Sequence, residues 1–74
     1  MNWIELHEVP GVTSFDAYPV TEYRRWEEEV ARPALEAAGW KVGPFYTSEG
    51  DSFGPLIRSV VCRRGAEEQG FFYG

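Results

Sequence analysis

Length, composition and charge exclude several classes of protein. The chain has 74 residues, a formal net charge of −5, one cysteine and one histidine. One cysteine cannot form an internal disulfide, and these two side chains are too few for a structural zinc site. No apolar run approaches the ~20 residues of a membrane span, and no basic patch is dense enough to neutralise phosphates. We therefore expect a single soluble domain (1–74) without metal or cofactor, and with no direct contact to membrane or nucleic acid.

The small size of the chain also predicts a marginal core. A domain of this length hides only roughly 60% of its unfolded surface, and it usually needs a disulfide, a metal or a partner. The three Trp, four Tyr and five Phe residues are more than such a domain readily hides, so some should line a surface. The N-terminus lacks the regions of a signal peptide, and a lone cysteine suits a reducing compartment, so we expect a cytoplasmic protein.

The first predicted element is a strand over residues 3–9, which Pro10-Gly11 ends. Ile4 and Leu6 lie on one face of this strand. Trp3 and Glu5 lie on the other face. An irregular connection follows over residues 10–20.

A helix is predicted next, from an N-cap at Thr21 to Ala38, with Gly39 as the C′ residue. Apolar side chains recur at three- and four-residue steps along one stripe: Tyr23, Trp26, Val30, Ala34 and Ala37. Pro33 should kink this helix, because proline removes a helical hydrogen bond. We expect Trp26 and Val30 to contact Ile57 or Val61 in the sheet.

Three strands follow the helix. Residues 40–48 form the first, in which Gly43-Pro44 indicates a bulge or an edge position. Residues 56–64 form the strongest strand, residues 65–70 a hairpin loop, and residues 71–73 a short last strand. The order β-α-β-β-β predicts an α+β fold, with a mostly antiparallel sheet and one kinked helix on one face. The first strand joins this sheet at its edge or its centre.

Catalytic candidates are few. Cys62 and His7 are the only thiol–imidazole combination, but Cys62 follows two valines in a strand, where a small buried thiol is common. Glu5, His7 and Glu8 could transfer protons, although such side chains are also ordinary on a solvated strand face. We therefore predict no catalytic site.

Two further polar features invite interpretation. In the turn-rich segment before Arg58, Phe53 either plugs the core, which we favour, or is an exposed aromatic anchor flanked by Asp51 and Arg58. Glu27 falls inside the apolar stripe of the helix, so it must be paired or lie at the boundary. Arg58 is the candidate partner for a buried ion pair with Glu27.

Surface side chains supply the remaining candidates for interaction. Trp40, Tyr46 and Phe72 could form an aromatic surface, and interfaces are enriched in such residues. Glu28 and Glu29 lie on the acidic face of the helix. The full set of predicted interaction residues is Asp51, Phe53, Arg58, Trp40, Tyr46, Phe72, Glu28 and Glu29.

These observations predict a small acidic, non-catalytic protein that binds a protein partner. One form of this function is an inhibitor of nucleic-acid machinery of the kind that phages and mobile elements encode, which the chain resembles in general character without a shared motif. The alternative is a small-molecule-binding protein or small enzyme, with a site formed at a homodimer interface by His7, glutamates and Arg58. The last strand lacks the devices that blunt a sheet edge, so we expect a second copy to cover it in a symmetric homodimer.

Overall fold

A four-stranded sheet with one helix forms the fold. The computed structural model describes residues 2–48 and 57–74. The strands are β1 (Trp3–Glu5), β2 (Lys41–Ser48), β3 (Ile57–Arg64) and β4 (Glu67–Tyr73), in the spatial order β1-β4-β3-β2. β2, β3 and β4 pair antiparallel, and β1 pairs in parallel with β4. The predicted α+β fold and its β-α-β-β-β order are therefore confirmed, with β1 at an edge.

The helix, α1, is continuous but irregular. It is α-helical over Tyr23–Trp26, π-helical over Glu27–Ala31 and α-helical again over Arg32–Ala37. The π turn lies directly before Pro33, which has no N–H to donate to the preceding turn. The Arg32 N–H donates five residues back, to the Glu27 carbonyl. This wide turn accommodates the proline within one helix.

The prediction is confirmed at the C-terminal end of α1 and is wrong at its N-terminal end. Gly39 has φ 91°, and its N–H donates to the Glu36 carbonyl while the Trp40 N–H donates to the Leu35 carbonyl, which is the expected glycine C-cap. The predicted cap at Thr21 is wrong. Thr21 lies inside a 3₁₀ turn, Val20–Glu22, and the N-cap residue Glu22 makes no side-chain cap bond.

One face of the sheet, which we call the covered face, packs against α1. The buried residues that join helix, turns and sheet there are Leu6, Val9, Trp26, Ala31, Leu35, Val60, Cys62, Phe71 and Tyr73. Trp26 is fully buried as predicted, and Val30 packs against this core while partly exposed. Beyond Val30 the stripe is confirmed at Ala34, which is buried, and is wrong at Ala37, which is exposed. Ala31 and Leu35 are buried as well, because the wide π turn shifts the helical phase by about one residue.

The predicted contacts of Trp26 and Val30 with Ile57 or Val61 are also wrong. Val60 and Cys62 face α1, and strand alternation places Ile57 and Val61 on the opposite face. Residues 60–62 are consecutively apolar, so the pattern alone did not specify which alternate positions face the helix.

The first and last strands differ from the prediction in length and in place. β1 has three residues, because Leu6–Glu8 form a 3₁₀ turn that buries Leu6. β4 begins at Glu67, because Gly65-Ala66 close a two-residue hairpin turn in which Gly65 has φ 61°. β4 lies between β1 and β3, so the prediction that the last strand is an open edge covered by another chain is wrong.

Candidate functional site

The face of the sheet opposite α1 carries large apolar side chains instead of the polar ones usual on a solvated sheet face. We call it the open face and define its apolar part as Trp3, Tyr46, Ile57, Val61 and Phe72. Trp3 is 49% exposed, Tyr46 59% and Ile57 37%, and Val61 and Phe72 are half-buried.

The sheet register brings these side chains into neighbouring rows. Tyr46 and Phe72 lie on either side of Ser59, because both pair with it across the ladder. In the next row, Trp3 and Val61 lie on either side of Gly70. The apolar side chains therefore form a patch across all four strands.

Gly70 explains how Trp3 is held on this face. A Cβ atom at position 70 would clash with the Trp3 ring, so the indole lies directly over the glycine backbone. Burial of Gly70 under the ring fixes β1 against β4 although their ladder spans only three residue pairs. The glycine thus positions the indole, whose outer side stays exposed.

A charged row borders the patch at one end. Lys41 and Glu68 lie on either side of Arg63, and Arg63 Nη2 is 3.1 Å from a Glu68 carboxylate oxygen. Between this row and Tyr46, an open groove of about 470 Å³ crosses Val61. An apolar centre with a charged rim is the composition of a protein interface.

On the covered face, Glu27 and Arg58 form the second noteworthy cluster. Glu27 is 3% exposed, and its carboxylate accepts bonds from Arg58 Nε (2.8 Å), Arg58 Nη2 (2.9 Å) and the Tyr73 hydroxyl. Arg58 Nη1 donates to Thr47 Oγ1 at 2.8 Å, and the guanidinium lies 5.1 Å from the Tyr23 ring centre. The structure thus brings together the two residues proposed as a buried ion pair.

Burial and bonding perturb the groups of this cluster. The hydrogen bond to Glu27 raises the pKa of Arg58 above its ordinary value. Desolvation, followed by the hydrogen bond and charge of Glu27, raises the pKa of Tyr73. Arg58 therefore stays charged and the Tyr73 phenol stays neutral at physiological pH. Among the described residues, no buried side-chain nitrogen or oxygen atom lacks a hydrogen-bond partner, as a structural ion pair requires.

A pocket of about 550 Å³ adjoins this cluster. Its described lining is Phe15, Thr21, Tyr23, Thr47, Arg58, Tyr73 and Gly74. Arg58 has five N–H donors, and within the described residues Glu27 and Thr47 accept three of them. The site combines aromatic walls with a few fixed donors, as small-molecule sites do.

The two catalytic candidates lie in ordinary settings. Cys62 is fully buried beneath α1, and this burial raises the pKa of the thiol. A buried neutral thiol is a poor nucleophile. His7 Nδ1 lies 2.8 Å from Glu5 Oε1 on an exposed 3₁₀ turn, and its ring lies 5.6 Å from that of Trp26.

The structure separates the predicted interaction residues. Tyr46 and Phe72 share the open face, whereas Arg58 lies on the covered face. Trp40 packs edge-on against the core ring of Phe71, beneath the Arg64 guanidinium at 4.2 Å. Asp51 and Phe53 lie outside the described residues.

The acidic helix residues are exposed but engaged. Glu28 accepts a bond from Arg32 at 3.0 Å, and Glu29 accepts one from Arg25 at 2.6 Å. Both are i,i+4 pairs, which adjacent turns of a helix bring together. Because these carboxylates are already paired with arginines, they present less net charge than their sequence suggests.

Sequence reasoning did not include Trp3, Ile57 and Val61 among the interaction residues. Strand alternation could have found Trp3, which it placed opposite the core-facing Ile4 and Leu6. It could not have found Ile57 and Val61, which were assigned to the wrong side of the sheet.

Comparison with known proteins gives no match: no family model, no curated protein and no solved structure matches this chain. Within residues 2–48 and 57–74, no group of three or more His, Cys, Asp or Glu side chains is placed to hold a metal ion. The same part of the chain contains no helix long and apolar enough to cross a membrane.

Proposed function

We propose that the chain is a non-catalytic interaction protein that binds a protein partner through the open face. The observation that supports this function is the apolar patch of Trp3, Tyr46, Ile57, Val61 and Phe72, which α1 leaves uncovered. Contiguous exposed apolar patches with a polar rim are characteristic of interaction sites. Tyr and Trp are moreover the residues most often found at binding hot spots.

The settings of the candidate catalytic groups favour binding over catalysis. The thiol of Cys62 is inaccessible, and Glu27 is saturated by Arg58 and Tyr73. An inhibitor acts by covering a partner surface and needs no reactive group, so the proposed function includes inhibition of nucleic-acid machinery in the cytoplasm. The net charge of −5 would steer such a protein toward a basic partner.

Site-specific photo-crosslinking tests this proposal. A photoreactive phenylalanine analogue at Tyr46 is expected to capture a protein in cells of the native host, because Tyr46 is the most exposed side chain of the patch, at 59%. The same analogue at Glu36, exposed on α1, is the matched control. The additional substitution Val61→Glu should abolish capture from position 46. Equal capture from positions 46 and 36, or capture that survives Val61→Glu, would contradict the proposal.

The pocket beside Arg58 supports a second candidate, the binding of a small planar molecule that accepts hydrogen bonds. Tyr23, Tyr73 and Phe15 supply aromatic walls, and Arg58 supplies N–H donors. His7 does not line this pocket, so the site differs from the one predicted at a dimer interface. A set of aromatic carbonyl fragments should shift the Arg58 Nε–H resonance in NMR spectra. The Arg63 resonance serves as the control. This candidate is rejected if no fragment shifts the Arg58 resonance.

A further inference from the structure

The edges of the sheet are closed to strand addition, which leaves the open face as the surface for association. β1 offers only three residues at one edge. At the other edge, β2 has the predicted bulge, between Val42 and Phe45, and contains Pro44, which has no N–H. Arg32 also donates to the carbonyls of Val42 (3.3 Å) and Gly43 (3.4 Å). Pairing between sheet edges is therefore disfavoured.

The open face is self-complementary about an axis along β3. Tyr46 and Phe72 lie one strand to either side of Ser59, and Lys41 and Glu68 lie one strand to either side of Arg63. A twofold rotation about β3 exchanges β2 with β4 between two facing copies. It places Tyr46 over Phe72 of the second copy, and Lys41 over Glu68 of the second copy.

The same axis passes through Ile57, Ser59, Val61 and Arg63, so each of these side chains faces its own counterpart. The apolar pairs of Ile57 and Val61 thus lie along the axis. In the charged row each Arg63 stays paired with its own Glu68 at 3.1 Å, which offsets the repulsion between the two Arg63 side chains. Because the axis runs nearly along the strands, the two sheets pack in the aligned class, with mean strand directions within about 30° of each other. This class is one of the two that natural sheet pairs adopt.

The size of the face predicts a weak dimer. The four strands lie about 4.8 Å apart and are at most eight residues long, with a rise of about 3.4 Å per residue. They therefore outline a face of roughly 400–500 Å². Two such faces bury less than the ~1,200–2,000 Å² of a standard stable interface. Affinity should therefore lie in the micromolar range, where association is readily reversed.

We propose that a second copy of the chain covers the open face when no other partner is bound, in a symmetric dimer packed sheet on sheet about β3. This inference rests on the proposed function, because both use the same face. Self-association and partner binding then exclude each other. The dimer covers the part of the patch on β2, β3 and β4, whereas Trp3 on β1 lies beyond the edge strand of the second copy. The functional partner must displace the second copy.

Charge exchange across the axis tests the geometry. Sedimentation of the full chain from about 1 to 500 µM should show a monomer–dimer equilibrium. Lys41→Glu and Glu68→Lys should each weaken dimerisation by about tenfold or more, because like charges then meet twice in each dimer. The double variant K41E/E68K should return the dimer constant to within about threefold of wild type.

Matched variants separate this effect from net charge. Arg24→Glu changes the net charge as Lys41→Glu does, and Glu36→Lys changes it as Glu68→Lys does, but both residues are exposed on α1. These controls should leave the dimer constant within about twofold of wild type. Controls that weaken it as much as the rim variants would overturn the inference.

Two other outcomes would also overturn it. One is a wild-type chain that stays monomeric at about 500 µM, and the other is a double variant that is no stronger than the singles. If the protein is monomeric but position 46 captures a different protein, the proposed function stands and only the dimer is rejected. If position 46 captures neither itself nor another protein, both proposals fail.

Discussion

The two faces of the sheet are built from alternate residues of the same strands, yet their side chains have different environments. On the covered face, Val60, Cys62 and Tyr73 are under one-tenth exposed and contact α1 or its turns. On the open face, Trp3 and Tyr46 are about half exposed. Large apolar side chains lie on both faces, although the open face also carries the charged row of Lys41, Arg63 and Glu68. Their environments differ because α1 packs against one face only.

The covered face therefore stabilises the fold, whereas the open face is the one that we propose for recognition. Apolar side chains that α1 buries stabilise the fold by roughly 1.5–3 kcal/mol each. The half-exposed side chains of the open face contribute less to stability and keep apolar area that only association can bury. Equivalent substitutions on the two faces should therefore have unequal effects on the free energy of unfolding.

The two tryptophans give the largest expected contrast. Trp26 is fully buried and lies 4.6 Å from Tyr73 and 5.4 Å from Phe15 between ring centres. Trp26→Ala should cost about 3–5 kcal/mol, because it leaves a large cavity. Trp3→Ala, on the open face, should cost about 1–2 kcal/mol, the value for partial burial. Urea unfolding of both variants measures the difference, and equal losses would show that the faces are energetically alike.

Two arginines of β3 give the next contrast. Arg58→Met removes the partner of Glu27 and leaves that carboxylate buried beside Tyr73 alone. Breaking a buried pair on one side costs about 3–5 kcal/mol, and we expect about 2–4 because part of the guanidinium reaches solvent. Arg63→Met on the open face breaks only its exposed pair with Glu68 and should cost under about 1 kcal/mol.

A double-mutant cycle checks that the Arg58 effect belongs to the pair. In the background Glu27→Gln, Arg58→Met should cost at least about 1 kcal/mol less than in wild type, because no buried charge is left behind. An additive result would mean that Arg58 stabilises the fold through its packing on Tyr23 and not through Glu27.

Adjacent valines provide the closest matched pair. Val60 is fully buried and Val61 is half-buried on the open face. Val60→Thr buries a hydroxyl among apolar side chains and should cost about 1–3 kcal/mol. Val61→Thr should cost under about 0.5 kcal/mol when measured at about 1 µM protein, where the weak dimer is dissociated. The reverse order would place Val61 in the core and remove the basis for the open face.

Much of the fold was predictable, because it follows from local chemistry. Gly39 ended the helix, and Gly43-Pro44 marked the bulge. The place of β1 was not predictable, since parallel pairing with β4 depends on contacts between the two ends of the chain. The length of β4 was missed because Gln69 and Glu67 read as loop residues, although a glycine turn and cross-strand arginines extend the ladder.

The candidate site was less predictable for a specific reason. A sheet face is expected to be apolar where it is buried and polar where it is exposed to solvent. The open face carries apolar side chains although it is exposed, so the hydrophobic pattern alone assigned Val61 to the core. The π turn at Glu27–Ala31 also shifted the helix phase, which no propensity indicates. The Glu27–Arg58 pair was easier to predict from the sequence, because a carboxylate within an apolar stripe needs a cation. Arg58 on the strongest predicted strand was the candidate cation.

Two tyrosines on opposite faces provide the smallest contrast, which appears at high pH. The pKa of Tyr73 is raised by burial and by its bond to Glu27, whereas the unfolded chain ionises near the ordinary tyrosine value of about 10. Below about pH 10 the phenol is neutral in both states, so this contribution to stability is fully present. As the pH rises further, the unfolded state loses its proton first and is stabilised, so the free energy of unfolding falls.

Tyr73→Phe should therefore cost about 1 kcal/mol at neutral pH, for one hydrogen bond to a carboxylate that Arg58 still holds. Above pH ~10 the gap to wild type should narrow, because the variant lacks the group whose ionisation favours unfolding. Tyr46→Phe, on the open face, is the matched control, because this side chain is 59% exposed. Urea unfolding at a series of alkaline pH values measures all three. A gap for Tyr73→Phe that stays constant or widens with pH would show that this phenol is not held neutral by the covered face.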